Sequence, residues 1–392
     1  ALFAALWLLA ELARGVLFSG FPWLASGYAQ VDGPLAAWAP WIGVYGIGAL
    51  GALLAALAAL QPDRSRGALL RGIGVPALLL ALPALIGVPD FTRPTGTLTL
   101  TLLQGNIPQE EKFAAEHQAE ALEWHLRELL AAQSDLVLAP ETSIPFLPQQ
   151  MPAGLWEQLQ RHFETGTTAA LIGVPLGDME AGYTNSAAGF AAGAPAYRYD
   201  KHHLVPFGEF IPFAFKWFTR MMEIPLGDFN RGGVGQPAFE WQGQRIAPNI
   251  CYEDLFGDEL GARFGDAATA PTIFVNVSNI AWFGNTVAID QHLQISRMRA
   301  IEFERPMIRA TNTGATVIID HRGRVTHSLP RLTRGVLTGE VEGATGMTAY
   351  AQWASRLGLW PFWLLSVLVL AAAIWRHRVN APSAPAGPDA LA

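Results

Sequence analysis

Four stretches of the chain stay apolar for the thickness of a bilayer. Residues 1–20 are broken only by Glu11 and Arg14, and residues 35–60 carry no charge over 26 positions. Residues 68–88 carry only Arg71, and 357–375 carry no charge over 19 positions. About 20 such residues in a helix cover the hydrocarbon core, so each stretch is expected to be a transmembrane helix. A buried soluble helix fits 35–60 poorly, because such helices rarely exceed about 20 residues. Glu11 and Arg14 would need partners inside a bundle, and Pro76 and Pro83 interrupt the third stretch.

From Thr97 the period changes. Thr97-Leu98-Thr99-Leu100-Thr101-Leu102 alternates every second residue, which predicts a strand. Further strands are expected at 135–139, 169–174, 244–250, 272–277, 307–311, 315–320 and 335–340. Helical spacing marks 112–133, 154–164 and 288–304, the last stopped by Pro306. Strands interleaved with helices over some 250 residues predict an α/β domain whose sheets are covered by helices. The expected organisation is membrane helices over 1–90, a domain over 91–350, a final span at 357–375 and a disordered Ala/Pro-rich tail at 379–392.

Composition sharpens this picture. Only 15% of residues are charged and 51% are apolar, too greasy for an ordinary soluble enzyme. A net charge of −7 with no basic run argues against nucleic acid as a partner. Arg64, Arg66 and Arg71 follow the second span, and Arg376, His377 and Arg378 follow the last. The positive-inside rule puts both clusters in the cytoplasm, so the intervening domain should face the other side. Gly46-Ile47-Gly48-Ala49-Leu50-Gly51 matches a dinucleotide fingerprint, but no strand precedes it. Small residues packing helices together is the expected reading. The chain begins with Ala inside an apolar run, and the start is read as a truncated or processed end.

Candidate chemistry gathers where strands end. The segments are Pro140-Glu141-Thr142, Asp200-Lys201-His202-His203, and Asn249-Ile250-Cys251-Tyr252-Glu253. Cys251 is the only cysteine, which excludes an intramolecular disulfide or a Cys-based zinc site. A free cysteine is by default a small buried hydrophobe. Given a neighbouring base it becomes a nucleophile, since the thiolate attacks. A carboxylate can take the proton and a lysine can hold an oxyanion, a set suited to acyl transfer. The pair His202-His203 lacks further ligands, and no metal or other cofactor is expected.

In order and context these residues resemble the nitrilase superfamily, and specifically the apolipoprotein N-acyltransferases of bacterial envelopes. The resemblance runs from Gly20-Phe21-Pro22-Trp23-Leu24 to the last span. It is carried by Gln104-Gly105-Asn106-Ile107-Pro108-Gln109, Ala139-Pro140-Glu141-Thr142, Lys201-His202-His203-Leu204-Val205-Pro206-Phe207-Gly208-Glu209, and Asn249-Ile250-Cys251-Tyr252-Glu253. Val275-Asn276-Val277-Ser278-Asn279, Ala281-Trp282-Phe283-Gly284 and Gln291-His292 complete it. It implies an αββα sandwich on a transmembrane bundle with more N-terminal spans than this chain carries. It also implies a bacterial inner-membrane protein with its catalytic domain on the periplasmic side. Carried over by position, Glu141 is the general base, Lys201 the oxyanion stabiliser and Cys251 the nucleophile. Glu209, Tyr252, Glu253, Trp282 and Phe283 are supporting or substrate-binding residues. Ile280 stands where relatives usually have Asp, and Phe113 where some have Trp.

The implied reaction moves a fatty acyl chain from a phospholipid through a Cys251 thioester to the amine of a diacylglyceryl-cysteine apolipoprotein. Two alternatives stay open: a membrane-anchored nitrilase-like amidase that hydrolyses the thioester, and a non-catalytic envelope scaffold with a buried Cys251. An apolar cleft open to lipid is required. Phe207, Phe210, Phe213, Phe215, Trp217, Phe218, Met221 and Met222 are candidates for a lid at the interface.

Overall fold

The computed structural model describes residues 1–59, 65–86, 90–108, 115–206, 208–210 and 229–380. Most of the apolar run 206–230, Phe113 and the tail beyond Asn380 lie outside them. Among the described residues four helices are long and apolar enough to cross a membrane: Leu2–Ser19, Ala36–Ala59, Arg66–Pro83 and Trp360–Val379. Their α-helical parts are α1 (Leu2–Val16), α2 (Ala39–Ala59), α3 (Arg66–Leu69) and α4 (Val75–Ile86), with α10 (Trp360–Val379) at the far end of the chain. A π-helical turn at Leu70–Gly74 joins α3 to α4.

The charges of the first span do find partners. Glu11 is buried, accepts the Ser26 N–H at 2.6 Å and pairs with Arg14 at 3.8 Å. The second span is less regular than its uncharged sequence suggests. Gly43 sits at φ 61, ψ −177 inside α2, where a Cβ would meet the Tyr350 ring at 2.4 Å. Glycine is the residue that accepts both the dihedral and the approach. The Val44 N–H, out of the helical ladder, donates instead to Glu302 Oε1 at 2.6 Å. Gly48 lies against Ser26 and Glu11, so a small residue at that position lets α2 close on α1.

Between the spans lie two six-stranded sheets. The first comprises β1 (Thr92–Gln104), β2 (Leu136–Ala139), β3 (Ala169–Asp178), β4 (Gly182–Phe190), β5 (Tyr197–Asp200) and β12 (Gly335–Gly346), in the order β12-β1-β2-β3-β4-β5. The second comprises β6 (Phe239–Trp241), β7 (Gln244–Ile250), β8 (Ile273–Ser278), β9 (Met307–Thr311), β10 (Val317–Ile319) and β11 (Val325–Ser328), in the order β11-β10-β9-β8-β7-β6. Strands β1–β3 and β7–β9 run parallel within their sheets; their outer neighbours are antiparallel.

Alternation splits the strand residues between layers. Leu98, Leu100, Leu102, Leu136 and Leu138 meet Ile246, Ile273, Val275, Ile308 and Ile318 in the core between the sheets. From the opposite face of the first sheet, Val137, Ala139, Ala170 and Ile172 pack against α5 (Ala115–Ala131) and α6 (Leu155–Thr165). Ala247 and Phe274 of the second sheet pack against α7 (Gly257–Gly261), α8 (Ala288–Phe303) and α9 (Ala349–Leu357). The result is the expected αββα sandwich. A further cluster joins Leu8, Leu12, Trp23 and Ile47 to Tyr252, Phe256, Ile289 and Met298, which seats the sandwich on the helices.

Four strands and two short helices, α7 and α9, went beyond the sequence pattern. β4 is Gly182-Tyr183-Thr184-Asn185-Ser186-Ala187-Ala188-Gly189-Phe190, small and largely buried, without alternation. β5 and β6 are four and three residues long, and β11 is an exposed edge. The helix α9 adjoins the last span, capped by the Thr348 hydroxyl accepting the Ala351 N–H.

Candidate active site

Parallel strands deliver their carboxyl ends to one edge of the sandwich, and ionisable residues collect in the loops there. Glu141 lies two residues beyond β2, Lys201 directly follows β5, and Cys251 directly follows β7. The Glu141 turn is set by its neighbour strand: a Cβ on Gly173 would meet the Pro140 carbonyl at 2.1 Å. Ser143 Oγ and the Ile144 N–H both donate to the Gly173 carbonyl. Cys251 has φ +52, a left-handed conformation uncommon outside glycine. Such strain persists where surroundings over-determine it, and it clusters at functional sites.

Glu141, Lys201 and Glu209 form one buried cluster. Lys201 Nζ donates to Glu141 Oε1 at 3.2 Å and to Glu209 Oε1 at 2.9 Å. Asn185 Nδ2 reaches the same two oxygens, at 2.7 and 2.8 Å. The other Glu141 oxygen accepts the Asn279 N–H at 2.7 Å, and the other Glu209 oxygen the Val205 N–H at 2.9 Å. Lys201 is 1% exposed. Burial alone would depress its pKa, but Glu141 and Glu209 outweigh that and hold it well above the ordinary lysine value, so it is an ammonium.

Cys251 is half-buried and close enough to this cluster to feel its charges. Desolvation and then the Glu141 carboxylate push its thiol up to about 12, against the opposing pull of Lys201. The resting sulfur is therefore a thiol, and attack requires a base. Glu141 is the carboxylate whose charge acts most strongly on that sulfur.

The supporting residues fall into two groups. Glu253 does not join the Glu141–Lys201 cluster. Its buried carboxylate accepts the N–H groups of His202 (2.6 Å), His203 (3.1 Å) and Ile250 (2.6 Å) and the Tyr199 hydroxyl (2.8 Å), fastening the Lys201 loop to the Cys251 turn. Burial raises its pKa while these donors pull it back. Tyr252 donates to the Gly20 carbonyl and packs on Phe21 and Phe256, which ties the turn to the segment after α1. Trp282 and Phe283 stand at the surface, 66% and 46% exposed. Phe283 touches Trp23, at the outer end of a run of rings leading through Phe21 to Tyr252.

His202 and His203 both come near Glu259, at 4.0 and 2.8 Å, and each has a different backbone partner. His202 Nδ1 meets the Gly232 carbonyl, whereas His203 lies between Glu259 and the Ser19 carbonyl. Among the described residues no His, Cys, Asp and Glu group has metal-binding geometry. Ile280, where the resemblance led to an expectation of Asp, is buried in the apolar cluster that joins sandwich and helices. The contact to Glu141 comes from the backbone of Asn279 and does not depend on the side chain at 280.

Sequence reasoning passed over Asn185, which bridges the two carboxylates. It sits mid-strand in β4 among small residues, with no turn or charge to mark it. Asp254 and Arg309 were also passed over; with His292 and Ser296 they form a buried polar cluster behind the Cys251 turn.

Paired sheets clad in helices, with an acid, a lysine and a cysteine on converging strand ends, define a carbon-nitrogen hydrolase. The profile of the family described as carbon-nitrogen hydrolase matches residues 99–350, and that of the apolipoprotein N-acyltransferase N-terminal domain matches residues 1–57. The chain belongs to the apolipoprotein N-acyltransferase family, as an N-acyltransferase of the carbon-nitrogen hydrolase superfamily embedded in a membrane. The apolipoprotein N-acyltransferase of Verminephrobacter eiseniae (strain EF01-2) is 58% identical, over 91% of this chain and 70% of that protein. Those of Ralstonia nicotianae and Bordetella bronchiseptica are 46% and 45% identical, over 96% and 97% of this chain and 71% and 74% of theirs.

Proposed function

We propose that this protein acylates the N-terminal amine of diacylglyceryl-cysteine apolipoproteins, taking the acyl chain from a phospholipid in a ping-pong cycle at Cys251. Glu141 takes the Cys251 proton, and the sulfur attacks the ester carbonyl carbon. The tetrahedral oxyanion rests against the Lys201 ammonium and backbone N–H groups. Collapse expels the lysophospholipid alkoxide, which recovers the proton from Glu141, and leaves a thioester. The lipoprotein amine then attacks that thioester carbonyl. Glu141 accepts a proton from the attacking amine and returns it to the departing Cys251 sulfur.

The observation that carries this reading is the shared position of Lys201. Its ammonium holds Glu141 and acts on the Cys251 thiol at the same time. One charge thereby serves the base, the nucleophile and the oxyanion. Glu209 and Asn185 fix the lysine and the base, and Glu253 and Tyr252 fix the turn. In this reading residues 91–350 are the catalytic domain, on the periplasmic side of the inner membrane. The helices of 1–90 and 357–375 anchor it, and the exposed Trp282 and Phe283 meet lipid or acyl chain.

The test is the intact mass of the purified chain after incubation with phospholipid. An added acyl mass, removed by hydroxylamine and absent from Cys251→Ala, is expected. Its persistence in Cys251→Ala would end the assignment. Loss of the acyl group to water at the same rate with and without lipoprotein would favour the amidase reading.

A further inference from the structure

The back of the Cys251 turn carries a clamp that the reaction as drawn does not use. The Cys251 carbonyl accepts from Asn276 Nδ2 at 3.0 Å and from His292 Nε2 at 3.2 Å. The two donors come from different elements, β8 and α8. Asn276 is held by donating also to Asn249 Oδ1 at 2.7 Å. His292 is fully buried, and its environment fixes its tautomer. Arg309 Nη2 lies 3.1 Å from His292 Nδ1, and a guanidinium only donates, so Nδ1 must be bare. The single ring proton is then on Nε2, shared between Asp254 Oδ1 at 2.9 Å and the Cys251 carbonyl. Asp254 in turn accepts from Ser296 and Arg309, so the whole support is itself held.

A trans peptide points its C=O and N–H in opposite directions. Drawing the Cys251 carbonyl inward therefore turns the Tyr252 N–H outward, away from α8. We propose that His292 and Asn276 are positioning residues for acyl transfer. By gripping the Cys251 carbonyl from behind, they hold the left-handed nucleophile turn and aim the Tyr252 N–H at the oxyanion opposite Lys201. This rests on the reading of Cys251 as nucleophile. It adds that the donor's aim is set from α8, about 40 residues along the chain, by an imidazole that never exchanges a proton with substrate.

Two measurements on the full-length chain in detergent separate this role from a merely structural one. Iodoacetamide labelling reports thiol reactivity and needs no oxyanion donor; thioester formation from phospholipid, followed by intact mass, needs one. His292→Phe and Asn276→Leu are each expected to slow thioester formation on the order of 10²-fold, the usual cost of a lost oxyanion contact. Labelling and the half-saturating phospholipid concentration should change only a few-fold. His292→Gln, which restores a donor at similar reach, should recover most of the rate. Native thioester rates in either donor-deleting variant would overturn the proposal, as would labelling that falls in step with acylation. If His292→Phe does not accumulate, Asn276→Leu and His292→Gln carry the same comparison. An acyl mass on Cys251→Ala would instead sink the nucleophile assignment, a separate outcome.

Discussion

Glu141 and Glu209 turn one oxygen each onto the same two donors, Lys201 Nζ and Asn185 Nδ2. Among the described residues, the two carboxylates therefore share the charge of one ammonium. Removing one member of a buried ionic group costs about 3–5 kcal/mol, because it strands the others. Lys201→Met should destabilise the detergent-solubilised protein by that order, read as a lower thermal unfolding temperature, and abolish acylation. Lys201→Met with Glu209→Gln should regain much of the stability and none of the activity. Equal stability of Lys201→Met and the native chain would refute the shared-charge account.

Burial, and after it the Glu141 charge, pushes the Cys251 thiol up to about 12 and keeps it protonated. Iodoacetamide labelling of the native enzyme should therefore keep climbing with pH beyond 9, where an ordinary thiol would level off. Neutralising Glu141 lowers the thiol pKa, so Glu141→Gln should label faster at pH 8 while acyl transfer falls by about 10²–10⁴-fold. Reactivity toward the alkylating agent and catalysis move in opposite directions. Parallel loss of both would show that Glu141 acts only as a structural prop.

Arg299 and Glu302 pair at 2.8 Å within α8, both fully buried, and together reach Tyr28 and the Val44 N–H on the membrane side. Arg299→Met strands Glu302 and should destabilise by about 3–5 kcal/mol. A double replacement, Arg299→Met with Glu302→Leu, should lose far less, since apolar substitutes for a buried pair are often tolerated. Thermal unfolding of the three variants decides it, and additive losses would count against the pairing.

Orientation can be read with a membrane-impermeant maleimide in spheroplasts, using Cys251→Ala as background. Glu180→Cys, on an exposed hairpin of the catalytic domain, should label from outside. Arg376→Cys, in the last turn of the final span, should label only after lysis. The reverse pattern would invert the proposed topology.

Much of this was legible in the sequence because burial writes itself as periodicity. Leu98, Leu100 and Leu102 alternate because one face of β1 meets the second sheet, and uncharged runs mark lipid exposure. The segments bearing Glu141, Lys201 and Cys251 could be named because each couples a strand end to an ionisable residue. What stayed hidden was whatever depends on contact between distant segments. Asn185 lies in a strand of small residues whose pattern carries no period. Gly43 is one glycine of several in an apolar helix, and only the Tyr350 ring against it shows why it must be glycine. Glu253 could be named only as a supporting residue beside the Cys251 turn, not as one that turns away from the Glu141–Lys201 cluster. It faces the other way because three backbone N–H groups and a phenol converge on it from behind.

At Gly43 a membrane helix surrenders a rung of its own ladder, and the freed Val44 N–H is taken up by an acid from the layer above. That exchange works as a depth gauge. Because the anchor is backbone, the catalytic layer has little freedom to slide or tilt against the second span. The height of the Cys251 sulfur over the second span is then a constant of the fold.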